Sequence, residues 1–342
     1  MIRDRKPGFR FVVGAIALCF VVVILGAWTR LVDAGLGCPD WPGCYGFAGI
    51  PMSAERIEIA EMRFPDAPVE VDKAWPEMVH RYFAGILGLV ILGLAIFSWR
   101  RRQDPEQPVV LPFILLAVVT MQAAFGAWTV TLKLWPQVVV AHLLGGFLTL
   151  SLLWLLALRL GWRREPATGD TGALLQRLRP WVVVGMVLLV AQIALGGWVS
   201  ANYAALACPD FPTCQGRWWP EADFAHGFNV LQEVGPNYLG GLMYSEGRIA
   251  IHLTHRIGAI IVALVLGLLA WRLWRTPHPW QLAPLGITLA GVLLVQILLG
   301  IANVVFSLPL VVATAHNAVA AVLLLVMVSV NYRVRATIGK GA

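Results

Sequence analysis

Four histidines stand where they can do chemistry together. His80 and His142 lie in the first half of the chain, and they recur in the second half as His255 and His316, at offsets of 175 and 174 residues. Their neighbours recur with them, His80-Arg81 as His255-Arg256 and Ala141-His142 as Ala315-His316. Each histidine falls near the start of an apolar run long enough to span a membrane, within the first turn or two of the helix expected there. An ionisable side chain inside such a run is costly and normally faces the bundle interior, where it serves a ligand, an ion or a proton. A single histidine can be explained by a hydrogen bond to a neighbouring helix, but four at equivalent repeat positions point to ligands. Two imidazoles from facing helices, with no Cys or carboxylate cluster beside them, suit the axial positions of a heme iron. Zinc would want a third or fourth protein ligand at short spacing. One pair per half predicts two heme sites, with His80, His142, His255 and His316 as iron ligands.

The halves differ at one informative place. Glu77 precedes His80 by three residues, on the same helical face, whereas the matching position before His255 is His252. An acid beside one heme site and not the other is what a reaction site paired with an electron-transfer site would need. Following Pro76, Glu77 also suits the first turn of a helix, where proline and an acid are both favoured. Arg81 and Arg256 are candidates for heme propionates through charge-assisted hydrogen bonds, or for anchoring helix ends at the interface. His226 and His278 fall in loops and read as surface residues, and His252 receives no role.

The elements that must position these residues follow from composition. Of 342 residues, 58% are hydrophobic and 13% charged, against about 25% charged in a soluble domain. A spanning helix needs about 20 mostly apolar residues. Eight runs qualify: Phe11 to Leu31, Glu77 to Trp99, Val109 to Val130, Val138 to Leu160, Trp181 to Asn202, Ile249 to Trp271, Ala283 to Asn303 and Val311 to Tyr332. The expected fold is an all-α polytopic membrane protein with both termini on one side. Loops rich in Lys and Arg stay in the cytoplasm. With the N-terminus inside, 17 of the 26 Lys and Arg residues fall inside and 14 of the 19 acids outside, which assigns both termini to the cytoplasm. The basic balance therefore reflects topology and calls for no nucleic acid. The first apolar run is too long for a signal peptide and lacks a small-residue cleavage site, so it reads as a retained helix. Too little precedes it for a transit peptide, which makes a bacterial inner membrane the expected address.

The chain also repeats. Cys38-Pro-Asp-Trp-Pro-Gly-Cys44-Tyr-Gly46 returns 170 residues later as Cys208-Pro-Asp-Phe-Pro-Thr-Cys214-Gln-Gly216, each opening a long outer loop. Two pseudo-symmetric four-helix bundles follow, residues 1–165 and 175–342, joined by the polar stretch from Arg163 to Arg179. Within each half the odd helices carry Gly26-Ala-Trp28, Gly126-Ala-Trp128, Gly196-Gly-Trp198 and Gly300-Ile-Ala302, three of them preceded by Gln122, Gln192 and Gln296. These glycines read as points of close helix packing.

Over nearly its whole length the chain resembles the heme A synthases of the aa3-type oxidase assembly pathway. The resemblance rests on Gly26-Ala-Trp-Thr-Arg-Leu31, the Cys-Pro-Asp-Trp-Pro motif, Glu77-Met-Val-His-Arg81, His142, His255-Arg256 and His316. It implies oxidation of the C8 methyl of heme O to the formyl group of heme A. Glu77, His80 and His142 would then form the substrate-heme site, with Glu77 the catalytic carboxylate, and His255 and His316 would ligate a resident heme b. It also implies loop disulfides. Four cysteines allow three connectivities, of which Cys38–Cys44 and Cys208–Cys214 are expected, in an oxidising compartment.

The implied partners are heme O delivered by a heme O synthase, an electron acceptor of unspecified kind, membrane lipid and a second copy in a homo-oligomer. A di-heme b-type membrane electron-transfer protein is the main alternative, sharing the bis-histidine pairs but doing no chemistry on the heme. A transporter built from repeats fits less well, because no charged translocation path is evident.

Overall fold

The structure, a computed structural model, describes residues 6–161, 169–276 and 282–336. Its elements among these residues are ten helices. Eight are long and apolar enough to cross a membrane: α1 Phe9–Leu31, α3 Val71–Arg100, α4 Val110–Thr131, α5 Pro136–Gly161, α6 Gly169–Ala201, α8 Ser245–Trp274, α9 Leu282–Val305 and α10 Leu310–Ala336. They match the eight apolar runs one for one. In lipid a single segment can satisfy its own backbone polar groups only as a helix, so the apolar runs determine the element type directly. The two remaining helices, α2 (Ala54–Arg63) and α7 (Phe224–Gly227), sit in the two long loops.

Helix starts are where hydropathy falls short. α3 begins at Val71 and α8 at Ser245, ahead of the apolar runs, because their first turns carry charged residues, Asp72 and Lys73 in one and Glu246 and Arg248 in the other, that are still helix-compatible. Pro76 therefore lies inside α3, and the first-turn acid is Asp72. The expected first-turn role of Glu77 is overturned. Arg177 and Arg179, expected in a polar connection, lie within α6. The rest of that connection, with Arg163 and Arg164, and the loop residue His278 lie outside the described residues.

In each half the four long helices close into a ring. α1 packs on α3, α3 on α4, α4 on α5 and α5 on α1; likewise α6 on α8, α8 on α9, α9 on α10 and α10 on α6. Helices α3 and α5 are thus diagonal across the first bundle, and α8 and α10 across the second. These four carry the histidines. Between halves, α1 meets α10, α5 meets α6, and α5 meets α10. Exchanging each helix for its repeat partner turns the first contact into the second and returns the third to itself, as a two-fold relation requires. Leu150, Leu153 and Leu156 of α5 and Met327 and Val330 of α10 are buried in one continuous apolar core, and Trp154 Nε1 donates to Ser329 Oγ at 2.8 Å across the α5–α10 contact.

The helices preceding each histidine helix all end alike. The amides of Ala34, Leu134, Ala204 and Leu308 reach back to the carbonyls of Thr29, Thr129, Val199 and Asn303, and the chain passes through positive φ at Asp33, Lys133, Tyr203 and Ser307. This left-handed helix stop fixes the exit direction four times over. In the short α4–α5 and α9–α10 hairpins it sets the depth of His142 and His316.

Candidate functional site

His80 and His142 face one another across the first bundle, with ring centres 6.4 Å apart and planes at 85°. His255 and His316 occupy the corresponding diagonal of the second bundle, on α8 and α10. His142 and His316 lie within two turns of their helix starts, as expected. His80 and His255 lie nearly three turns in, because α3 and α8 begin early.

Each imidazole rests against a glycine of the preceding long helix. A Cβ on Gly26 would stand 2.9 Å from His80 Cε1, on Gly300 3.2 Å from His316 Cε1, on Gly196 3.3 Å from His255 Cε1 and on Gly126 3.4 Å from His142 Cε1. The glycines are therefore more than general packing points, since each clears the volume of one imidazole. The glutamines one turn earlier are also part of this arrangement. Gln192 Nε2 lies 3.1 Å from His255 Nδ1 and donates to the His255 carbonyl at 2.9 Å, and Gln296 Nε2 lies 3.3 Å from His316 Nε2. The Gln122 and Gln192 amides occupy the space that a side chain at Gly145 or Gly258 would need.

Do these residues fit a heme? An imidazole nitrogen lies about 2 Å from a metal it binds and its ring centre about 1 Å beyond, so two rings on opposite faces of one iron have centres a little over 6 Å apart. The His80–His142 separation meets that requirement. Nδ1 of His80, His142 and His316 is buried with no hydrogen-bond partner, an unusual state for a buried polar atom. No group of three or more His, Cys, Asp or Glu side chains able to hold a metal ion occurs among the described residues. A donor set of two imidazoles needs the porphyrin to complete it.

A second layer caps the bundle. Cys38–Cys44 and Cys208–Cys214 are both disulfides, with Cα–Cα distances of 4.8 and 4.6 Å, and Cys19 is a buried free thiol in α1. In each loop an aspartate, not singled out from the sequence although it sits in the repeated motif, folds the chain back. Asp40 accepts from the amides of Tyr45 (2.6 Å) and Gly46 (2.7 Å); Asp210 accepts from those of Gln215 (2.5 Å) and Gly216 (3.0 Å) and from the Thr213 hydroxyl.

The loops are tied to the histidine helices by the two arginines. Arg81 donates to the carbonyls of Asp40 (2.9 Å) and Gly43 (2.6 Å), and Arg256 to those of Thr213 (2.8 Å), Cys208 (2.9 Å) and Asp210 (2.9 Å).

Glu77, only 5% exposed, accepts from the Cys38 amide at 3.0 Å and pairs with Arg81. The counterpart His252 is equally buried. Its Nδ1 lies 3.0 Å from the Ala204 carbonyl and 3.4 Å from the Cys208 amide, and it can donate to the first or accept from the second. Positions 77 and 252 thus face the same cysteine amide in the two halves, which places the histidine that the sequence left without a role. His226, in the second long loop as expected, is half-buried and stacked on Tyr244 with ring centres 3.9 Å apart.

Comparison with known proteins agrees with this architecture. Residues 9–328 match the COX15-CtaA family, described as cytochrome oxidase assembly protein. The chain belongs to that family. Among curated members it is 47% identical to the heme A synthase of Shewanella oneidensis over 91% of this chain and 92% of the relative. It is 29% identical to the heme A synthase of Caulobacter sp. strain K31 over 93% of both chains, and 25% identical to that of Halalkalibacterium halodurans over 89% of both. The match spans both bundles and so both histidine pairs of this family member.

Proposed function

We propose that this membrane protein is a heme A synthase whose first bundle holds the substrate and whose second holds a redox partner. The observation that carries the reading is the His80–His142 pair, set at the spacing of two axial ligands on diagonal helices. In this scheme His80 and His142 hold heme O, and Gly26 and Gly126 keep their rings in place. His255 and His316 hold resident heme b, with Gln192 and Gln296 against their rings. When bound, that heme would supply the one-electron redox chemistry that side chains lack, with an acceptor beyond the chain as the electron sink.

Conversion of the C8 methyl to a formyl group, written with water as the oxygen source (CH3 + H2O → CHO + 4 H+ + 4 e−), also releases protons, and Glu77 is assigned to receive one. Its place three residues before His80 puts it about 4.5 Å further along the helix axis, beside the first site. Arg81 and the Cys38 amide hold the carboxylate in a fixed orientation, and Arg81 also keeps the Cys38–Cys44 loop over that end of the bundle. His252 takes the place of the acid in the second half, in keeping with electron transfer there without proton abstraction from a methyl group. Arg81 and Arg256 are assigned first to the loops; propionate contacts fall to donors these bonds leave over, such as the buried Arg256 Nε, which has no partner. The basic residues at the end opposite the loops favour both termini on the cytoplasmic side, with a bacterial inner membrane as the assigned address and heme O arriving from its synthase within it.

Extraction and mass analysis of hemes from cells with and without the gene tests the function. Heme A should appear only with the gene, and both bundles should carry heme in the purified protein. Heme b alone in both cases would leave an electron-transfer protein.

A further inference from the structure

We propose that the cleft between α6 and α8, at the end of the bundle opposite the disulfide loops, binds the phosphate of an anionic phospholipid. A cavity of about 310 Å³ opens there, with Arg177, Leu178 and Trp181 from α6 on one side and Trp271, Arg272 and Arg275 from α8 on the other. Nothing in the heme chemistry uses these residues.

Three arginines line this space, and none forms an ion pair among the described residues. Lys6, at the same end of the first bundle, is by contrast neutralised by Glu106 at 3.3 Å. Like charges gathered at a low-dielectric boundary repel, and an anion between them relieves the repulsion. The aromatic rings set how the arginines are presented. Arg272 lies 4.3 Å over the Trp181 ring, and Arg275 lies between two rings, 5.7 Å from that of Trp274 and 5.9 Å from that of Trp271. A guanidinium set close over a ring, as Arg272 is over Trp181, keeps N–H donors available, and these match two phosphate oxygens at once.

The position favours a lipid over a free anion. Trp271 is exposed near the end of α8, and Trp181 is exposed on α6 where the apolar run expected from the sequence begins, the level at which tryptophan meets headgroups. Basic pockets between spanning helices on the positively charged side are recognised sites for anionic headgroups. A zwitterionic headgroup would bring its own cation against three arginines, so phosphatidylglycerol-type lipids fit and phosphatidylcholine does not.

Native mass spectrometry of the full-length protein, delipidated in detergent and offered phosphatidylglycerol or phosphatidylcholine, tests this. The wild type should retain phosphatidylglycerol preferentially, and Arg272→Gln/Arg275→Gln should lower that adduct about tenfold or more. Arg100→Gln/Arg101→Gln, which removes the same charge from the first bundle, should change it less than about twofold. No preference in the wild type, or equal loss in both double variants, overturns the proposal. A parallel titration with inorganic phosphate separates the sources: phosphate binding without a phosphatidylglycerol adduct assigns the site to a free anion and also overturns it. If the double variant fails to fold, Arg177→Gln alone, at an exposed position, should lower the adduct about fivefold, and an unchanged adduct rejects the site.

Discussion

Gly26 lies so close to His80 that a Cβ added to it would stand 2.9 Å from the imidazole Cε1. The backbone of α1 therefore forms one wall of the His80 pocket, and the wall cannot thicken without moving a ring proposed to bind iron. Overpacking of this kind costs about 1–3 kcal/mol. Gly26→Ala should give a folded protein in which His80 is displaced and low-spin heme in the first bundle is largely lost. Gly126→Ala, with its Cβ at 3.4 Å from His142, should be milder. Optical and electron paramagnetic resonance spectra per folded protein read both, and wild-type heme occupancy in Gly26→Ala would show that the ring has room to spare.

The second pair is separable from the first. His255→Ala or His316→Ala removes an axial ligand from the proposed resident heme b, leaving it held mainly by packing and propionate contacts. Each variant should lose heme b while still taking up heme O in the first bundle. A full low-spin heme b spectrum in both would place that heme elsewhere.

The Cys208–Cys214 loop carries a pH dependence of known sign. Hydrogen bonds from the Thr213 hydroxyl and from the Gly216 and Gln215 amides hold the Asp210 carboxyl down to about 2, below its ordinary 3.8. A depressed acid stabilises the folded loop fully above its ordinary value, and the contribution is lost as pH falls through the lowered one. Measured relative to an unstructured disulfide peptide at the same pH, since the phosphine itself protonates and slows in acid, reduction of Cys208–Cys214 by a water-soluble phosphine should therefore accelerate as pH falls from 3.8 toward 2. Asp210→Asn should show the faster rate already at neutral pH, and a rate unaffected by either change would remove Asp210 as the loop's anchor.

How much of this was legible in the chain depends on the kind of signal. The eight spans were, because a lipid-spanning helix announces itself by length and apolarity alone, and the histidine pairs were, because repetition separates them from chance. The early starts of α3 and α8 were not, since Asp72 and Lys73 in one and Glu246 and Arg248 in the other interrupt the apolar pattern, and hydropathy does not register a helix that projects beyond the apolar run. The Gly26–His80 contact was half legible: the equal 16-residue spacing from Gly126 to His142 and from Gly300 to His316 hinted that glycine and histidine belong together, but only the packing of α1 on α3 and of α4 on α5 shows them touching. Arg81 and Arg256 illustrate the opposite limit. Their charge suggested an anionic ligand, and nothing in one dimension could reveal that backbone carbonyls of a folded loop take most of their hydrogen bonds.

Glu77 is where a catalytic and a structural role must be told apart. Its carboxylate accepts from the Cys38 amide and pairs with Arg81, so the alternative to catalysis is anchorage of the Cys38–Cys44 loop. Removing one partner of a buried ion pair costs about 3–5 kcal/mol, and Glu77→Ala would mix both effects. Glu77→Gln keeps the shape and an oxygen for the Cys38 amide but cannot take up a proton. Arg81→Gln breaks the same ion pair and leaves the carboxylate in place. If Glu77 is only an anchor, the two variants should lose thermal stability and heme A yield in parallel. If it receives a proton during methyl oxidation, the loss of general-base help should cost about 10²–10⁴ in rate. Glu77→Gln should then make almost no heme A and accumulate hydroxylated heme, while Arg81→Gln, although less stable, retains measurable conversion per folded protein. Heme A yield plotted against melting temperature for both variants separates the cases, and a Glu77→Gln protein that converts heme O at near-normal rate would assign the residue to the loop alone.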